Sequence, residues 1–529
     1  MAGPMHICSI IGVLDCGSSR AEPRGPAGTP KLLDANDHTC PMRLIKIPLL
    51  LAGLCTAPCF AETTTLDLPN IGDSTGSIFS PEYERRLGQA FLNHVRKQAD
   101  IMDDPEVETY IHSVGYRLVA NSDNNTQAFT FFVINDPLIN AFAAPGGIVG
   151  LNAGTIINSG SESELAGVVA HEIAHVTQKH MARSAEMQSK LSLPMMAALL
   201  GAILIATQDA DAGMAAITAI QGGVVQAQIN FTRHNEEEAD RVGLQLLERA
   251  NFNPQGMPGF FEKLQKNSRY YSQAPEFLRS HPLTTNRIAD SQARAAAIPR
   301  KDRYDESASY PLIRAKLIAK GFRHPKDAVN HFRREMERVE HVDPEGVLRY
   351  GLAQALLEDK QYEGARELLN GLLAQRSENA SFLLAAADLE ARQNRFPEAI
   401  KIYERTEKLY PDYRPLVLNF AGTLLQAGQA VRARDLLRKY GKYADPDLTY
   451  YDYLTRAEAE AGNPVEAGMA NAEYYYLSGE TRVAIERLRY IITQEKPAPD
   501  YYQQERIRAR LAYFEQELQI EIDLKLTER

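Results

Sequence analysis

The residues with the clearest capacity for chemistry are the two histidines and the glutamate of His171-Glu172-Ile173-Ala174-His175. On a helix, positions i and i+4 lie about 40° and one turn apart, so both imidazoles project from one face with Glu172 beside them. Two neutral imidazoles can hold a divalent cation, and the adjacent carboxylate can take a proton from water. Catalytic sites of this kind need a third protein ligand and an open position. Downstream, Arg233-His234-Asn235-Glu236-Glu237-Glu238-Ala239-Asp240 continues with helical spacing into Val242, Leu244 and Leu247. Glu236 and Asp240 share a face, so one can bind metal while the other orients a histidine. His234 is the rival third ligand and faces nearly opposite to Glu236. Glu237 and Glu238 point elsewhere and are assigned to solvent. His180, nine residues after His171, falls about 180° round a continuous helix and is assigned to the surface. His281 has three readings: a switch ligand, a hydrogen-bond donor to the transition state, or a loop cap before Pro282. Arg287 reads as a structural ion-pair partner.

The elements that must position these residues are mostly helical. Ser80-Pro81-Glu82 starts a helix with a capping serine and a first-turn proline, and its apolar spacing continues to about Ala99. Asp104-Pro105-Glu106 opens a second helix towards Val119. Phe129 to Ile134 and Gly147 to Leu151 are β-rich and predict a small sheet, the second following the turn Ala144-Pro145-Gly146. Ser161 or Ser163 can cap the helix carrying His171, with Glu162 and Glu164 suited to its positive end. Residues 191–229 are strongly apolar and predict a helical hairpin packed on the protein or shielding the site, with peripheral membrane contact as the alternative. Each arm is shorter than a membrane span requires.

At 529 residues the chain is long enough for two or more domains. Its formal charge of −10 argues against nucleic acid as a partner. From Met42 a basic start, a short apolar run and the small residues Cys59 and Ala61 read as a secretory signal, residues 42–61, cleaved after Ala61. Residues 1–41 read as a non-native extension, with translation starting at Met42. All five cysteines fall within these first 61 positions, so the mature chain can form no disulfide and no cysteine-ligated metal site.

Beyond residue 305 the chain becomes repetitive. Ala365, Ala399, Ala433 and Ala467 are 34 residues apart, Ala353, Ala387 and Ala421 keep the same period, and Asn394, Gly428 and Gly462 mark turns. This period resembles tetratricopeptide repeats and predicts a helical solenoid over about 309–520, degenerate at Ala315–Met336 and shifted by half a unit at Ala484.

His171–His175, the Glu236–Asp240 segment and Ser280-His281-Pro282-Leu283-Thr284-Thr285-Asn286-Arg287 together resemble the M48 family of zinc metallopeptidases, in its periplasmic, repeat-bearing branch. The resemblance implies a mainly α fold with a small β-sheet: a gluzincin-type protease domain over 62–305, then an α-solenoid over 306–529. It implies one Zn²⁺ per chain on His171, His175 and Glu236, with Glu172 as general base, Asp240 as orienter and His281 near the metal, able to fill the open position. The family's Asn-Ala-Phe-Ala-x-Pro-Gly-Gly element is present at Asn140–Gly147. It leads into a strand expected to pair with substrate, so Asn140, Gly147, Ile148 and Val149 are the expected substrate contacts. The implied activity is endopeptidase quality control in the periplasm during outer-membrane β-barrel assembly. Unfolded or misassembled barrel proteins and the assembly machinery are the implied partners. The competing reading is a chaperone-like scaffold whose protease site is kept latent by His281.

Overall fold

The computed structural model describes residues 80–123, 127–187, 201, 233–268, 277–338, 343, 345–443 and 447–523. The signal and extension expected before residue 62, and the apolar hairpin at 191–229 apart from Gly201, lie outside the described residues.

Helix α1 (Pro81–Gln98) begins where Ser80 Oγ accepts from the Tyr83 amide, and α2 (Pro105–Val119) where Asp104 accepts from Glu106 and Val107. Both starts match the proline and cap signals in the sequence. Strands β1 (Thr130–Ile134), β2 (Ala141–Ala144) and β3 (Ile148–Asn152) form one sheet in the order β1-β3-β2. β3 runs parallel to β1, with Phe132 opposite Gly150, and antiparallel to β2, with Phe142 opposite Gly150. The two phenylalanines fill the space over Gly150, where a Cβ would lie 2.4 Å from the Phe142 ring.

This order corrects one expectation. The strand holding Ile148 and Val149 is the middle strand, hydrogen-bonded on both sides, so it has no edge left for a substrate. Among the described residues the outer strands are β1, which Ile101 meets in a bridge at Ile134, and β2, which alternation does not reveal because the run Ala-Phe-Ala-Ala is short.

After α3 (Ala153–Asn158), helix α4 (Glu162–Thr177) carries both site histidines and is buried from Leu165 to His175. Ser161 caps it by accepting from Glu164 N. Then come α5 (His180–Met187), α6 (Arg233–Arg249), α7 (Gly256–Ser268), the single turn α8 (Phe277–Ser280) and α9 (Thr285–Ala297). Two glycines let helices close on α4. A Cβ on Gly167 would lie 2.9 Å from Met257 Cα, and one on Gly243 would lie 3.3 Å from His171 N. With no side chain at Gly243, α6 lies against α4 at His171, and the acidic residues one and two turns earlier on α6 reach the histidines.

Among the described residues twelve helices follow, from α10 (Ser309–Gly321) and α11 (Pro325–Arg338) to α21 (Tyr501–Asp523). The repeat alanines Ala353, Ala365, Ala387, Ala399, Ala421 and Ala433 are all fully buried where paired helices cross. Left-handed residues recur at Lys360, Asn394, Gly428 and Gly462, then at Gly479 only 17 positions on. Ala467 and Ala484 are each the fourth residue of consecutive helices, Pro464–Leu477 and Thr481–Gln494. This is the half-unit shift seen in the sequence.

The solenoid docks back on α1 and α2. Buried Lys316 Nζ donates to Asp104 Oδ1 at 2.9 Å and Glu106 Oε2 at 2.7 Å, Arg414 pairs with Glu108 and Asp447, and Arg96 donates to the Leu477 carbonyl.

Candidate metal centre and active site

Helix α4 presents His171 and His175 one turn apart, their Nε2 atoms 3.0 Å from each other. From α6, Glu236 brings Oε2 to 3.4 Å from His171 Nε2 and Oε1 to 3.4 Å from His175 Nε2. From the end of α8, His281 brings Nδ1 to 3.3 Å from His171 Nε2 and 3.2 Å from Glu236 Oε1. All four side chains are buried, and one donor atom from each lies within 4.8 Å of every other. Four donors about 2.0–2.1 Å from a tetrahedral metal stand roughly 3.3 Å apart. The spacing and the imidazole and carboxylate chemistry therefore fit such an ion. His234 is exposed, which removes it as the rival ligand.

Each of these side chains is itself held. His171 Nδ1 lies 3.0 Å from Asp240 Oδ1. Arg287, fully buried, grips Asp240 in a fork, Nη2 to Oδ1 at 2.7 Å and Nε to Oδ2 at 2.8 Å, and reaches Glu236 Oε2 with Nη1 at 2.8 Å. Phe277 stacks on the His281 ring at 4.8 Å. On the other side, His175 Nδ1 lies 2.8 Å from His180 Nδ1, and His180 Nε2 lies 3.1 Å from Glu238 Oε2.

Two sequence assignments are corrected here. His180 is buried, not on the surface, because α4 ends at Thr177 and Lys179 turns left-handed at φ 52°, rotating His180 back onto His175. Glu238 is not simply solvated; it pairs with His180 and Arg183. No glycine or proline marks this break, so the helical count ran through it.

Burial governs the protonation of the site. Burial alone would lower His171, but Asp240 and Glu236 outweigh it and lift the imidazole to about 9. Burial lowers His175 well below the ordinary histidine value and holds His180 at about 4. Burial would raise Glu236, but His281, His175 and His171 hold its carboxyl well below the usual range. Burial pushes Glu172 up. Neither Glu172 oxygen makes a hydrogen bond, and Oε1 lies 3.4 Å from His281 Nε2. Glu172 is thus a buried carboxylate without a hydrogen bond beside the donor set, a setting that perturbs titration.

Asn140 directly precedes β2, and Gly147 directly precedes β3. The Asn140 backbone is tied to Thr155 Oγ1, and a Cβ on Gly147, at φ +79°, would strike the Ala128 carbonyl at 2.0 Å. The structure gives both a backbone role.

Among known proteins, the β-barrel assembly-enhancing protease of Escherichia coli K12 is 37% identical over 440 residues, covering 83% of this chain and 90% of that protein. The chain belongs to peptidase family M48. The family's own pattern matches residues 105–295, from the start of α2 to near the end of α9, so it spans all of the residues gathered above. Tetratricopeptide patterns match 350–414 and 390–458. A Vibrio cholerae protein described as a putative β-barrel assembly-enhancing protease is 36% identical over 84% of this chain and 92% of its own length. The mitochondrial metalloendopeptidase OMA1 of Schizosaccharomyces pombe is 28% identical over 40% of this chain. As an M48 member the chain is a metallopeptidase, mainly helical with a three-stranded sheet and followed by helical repeats. No helix among its described residues is long and apolar enough to cross a membrane.

Proposed function

We propose that this chain is a periplasmic zinc endopeptidase that acts on unfolded or misassembled outer-membrane β-barrel proteins, with its site closed at rest by His281. The observation that carries the reading is the four-donor cluster His171, His175, Glu236 and His281 with the carboxylate of Glu172 beside it. His171, His175 and Glu236 would hold the ion, and Asp240 would orient His171. Zinc held there supplies a Lewis acid for the scissile carbonyl and acidifies water. Glu172 takes the proton of the attacking water and delivers it to the leaving amine nitrogen, a role its raised pKa suits. An extended substrate would add antiparallel to the outer edge of β2, a strand that packs against α4, and would so lie along the site. This moves the expected contact from Ile148 and Val149 to Ala141–Ala144.

His281 supports latency because its Nδ1 completes the donor set while its Nε2 faces Glu172. One side chain thus covers both the open position and the base. The names of the relatives support barrel assembly as the setting, and the signal read at 42–61 supports export. The repeats would recruit clients or assembly partners.

The test is Glu172→Gln. The variant should bind the same amount of zinc and unfold at the same temperature as wild type, yet lose cleavage of an unfolded polypeptide by a factor of about 10³ or more. Undiminished cleavage by metal-loaded Glu172→Gln would remove Glu172 as the base.

A further inference from the structure

The two ligand histidines on α4 are supported differently, and only one support was legible from spacing. His171 is held by a carboxylate, Asp240, which sits one turn after Glu236 on α6 and is locked by Arg287. His175 is supported at Nδ1 by a different kind of group. Its neighbour there is a third histidine, His180, at 2.8 Å between the two Nδ1 atoms. Two imidazole nitrogens at that distance need one donor and one acceptor. When His175 commits the Nε2 lone pair to a metal, its proton must sit on Nδ1, so Nδ1–H donates and His180 Nδ1 accepts. That choice fixes the other end of His180. Its proton is on Nε2, aimed at Glu238 Oε2 at 3.1 Å, and Arg183 Nη1 donates to the same oxygen at 2.9 Å. The polarity of the chain is set from the metal site outwards, and every link has a partner of the right kind.

We propose that His180 and Glu238 are positioning residues that fix the tautomer and ring orientation of His175, and so set how tightly the chain holds its metal. The relay joins three elements: His175 in α4, His180 at the start of α5 and Glu238 in α6. It depends on the left-handed turn at Lys179, since a continuous α4 would carry His180 to the opposite face. His180 is fully buried, so no water competes for its Nδ1. Orienting partners of ligand histidines are commonly worth a factor of 10–100 in metal affinity.

The inference rests on the metal reading above, so its test measures binding and not turnover. Zinc is removed from the full chain, and affinity is measured by competition with a chromogenic chelator at pH 7 for wild type, His180→Leu, His180→Asn and Glu238→Gln. His180→Leu should weaken zinc binding about 10–100-fold. His180→Asn can present its amide oxygen where Nδ1 stood and should recover most of that loss. Glu238→Gln keeps an acceptor but not the charge, and should fall between wild type and His180→Leu. The thermal midpoint of each metal-free variant is recorded alongside. A merely structural His180 would lower that midpoint in the leucine and asparagine variants alike, without rescue of affinity. Zinc binding by folded His180→Leu within twofold of wild type would overturn the relay and leave the metal reading standing. A wild-type chain that takes up no zinc would overturn both.

Discussion

Arg287 gives the sharpest test of how the site is assembled. It is fully buried and its guanidinium meets two carboxylates: two bonds to Asp240 at 2.7 and 2.8 Å and one contact to Glu236 at 2.8 Å. Nη1 also donates to the Pro282 carbonyl at 2.9 Å. Arg287→Met keeps much of the side-chain volume and removes the cation, leaving Asp240 and Glu236 buried without it. Breaking a buried ion pair from one side costs about 3–5 kcal/mol. For a folding unit the size of the protease region, each kcal/mol moves the midpoint by about 2–4 °C, so the metal-free variant should melt about 6–20 °C below wild type. Circular dichroism on metal-free protein measures this. Adding Asp240→Asn to Arg287→Met removes one stranded charge, so the double variant should be more stable than the sum of the single losses by about 1–3 kcal/mol. Arg287→Lys keeps the charge but not the fork and should lose less. A loss below about 1 kcal/mol, or strict additivity with Asp240→Asn, would refute the view that Arg287 neutralises this acidic pair.

Two other outcomes follow. Burial lifts Glu108 from 4.5 to about 7, with Arg414 pulling it back and Asp447 pushing it further up. Between about pH 4.5 and 7 the folded state therefore holds a proton that the unfolded chain has released, and stability falls as pH rises through that window, then levels off. Glu108→Gln should flatten this slope by about 1–2 kcal/mol between pH 5 and 7.5, reduced from the full linkage value because the group is partly solvated. Denaturant midpoints at stepped pH check this, and parallel curves for the two proteins would contradict it. His281→Ala should raise the initial rate on an unfolded polypeptide about tenfold or more; a fall of the same size with zinc still bound would place His281 in the transition state and not on a latch.

The site was legible where it is local. His171, Glu172 and His175 lie within one helical turn of one another, and Glu236 and Asp240 are one turn apart, so spacing alone shows which residues share a face. The caps at Ser80, Asp104 and Ser161, and the 34-residue alanine period, were visible for the same reason. What escaped depends on breaks in regularity or on pairing between distant segments. Nothing in Val176-Thr177-Gln178-Lys179 announces a left-handed residue, so His180 was carried to the wrong side and Glu238 lost its partner. The strand order could not be read from three short apolar runs, because register and edge position come from contacts with α2 and α4, not from the strands' own composition. The fork of Arg287 on Asp240 spans 47 positions and required the fold.

The closing of the site can be weighed from the contacts around His281. The segment holding it is tied to the rest of the site by the contacts of His281 with Glu236, His171 and Glu172, by the Phe277 amide on the Ile139 carbonyl, and by the bond from Arg287 to Pro282 O. Arg287 is fixed separately by Asp240 and Glu236, so the segment can leave while the ligand scaffold stays. A hydrogen bond from a charged donor is worth about 1.5–3 kcal/mol, and the aromatic contacts of Phe277 with the neighbouring Phe260 and His171 rings add about 0.5–1.5 kcal/mol. These two contributions alone hold the segment by about 2–4 kcal/mol, and the contacts of His281 with Glu236, His171 and Glu172 add to them. On the proposed reading that His281 is a latch, these contacts set the least that a bound client must supply to open the site.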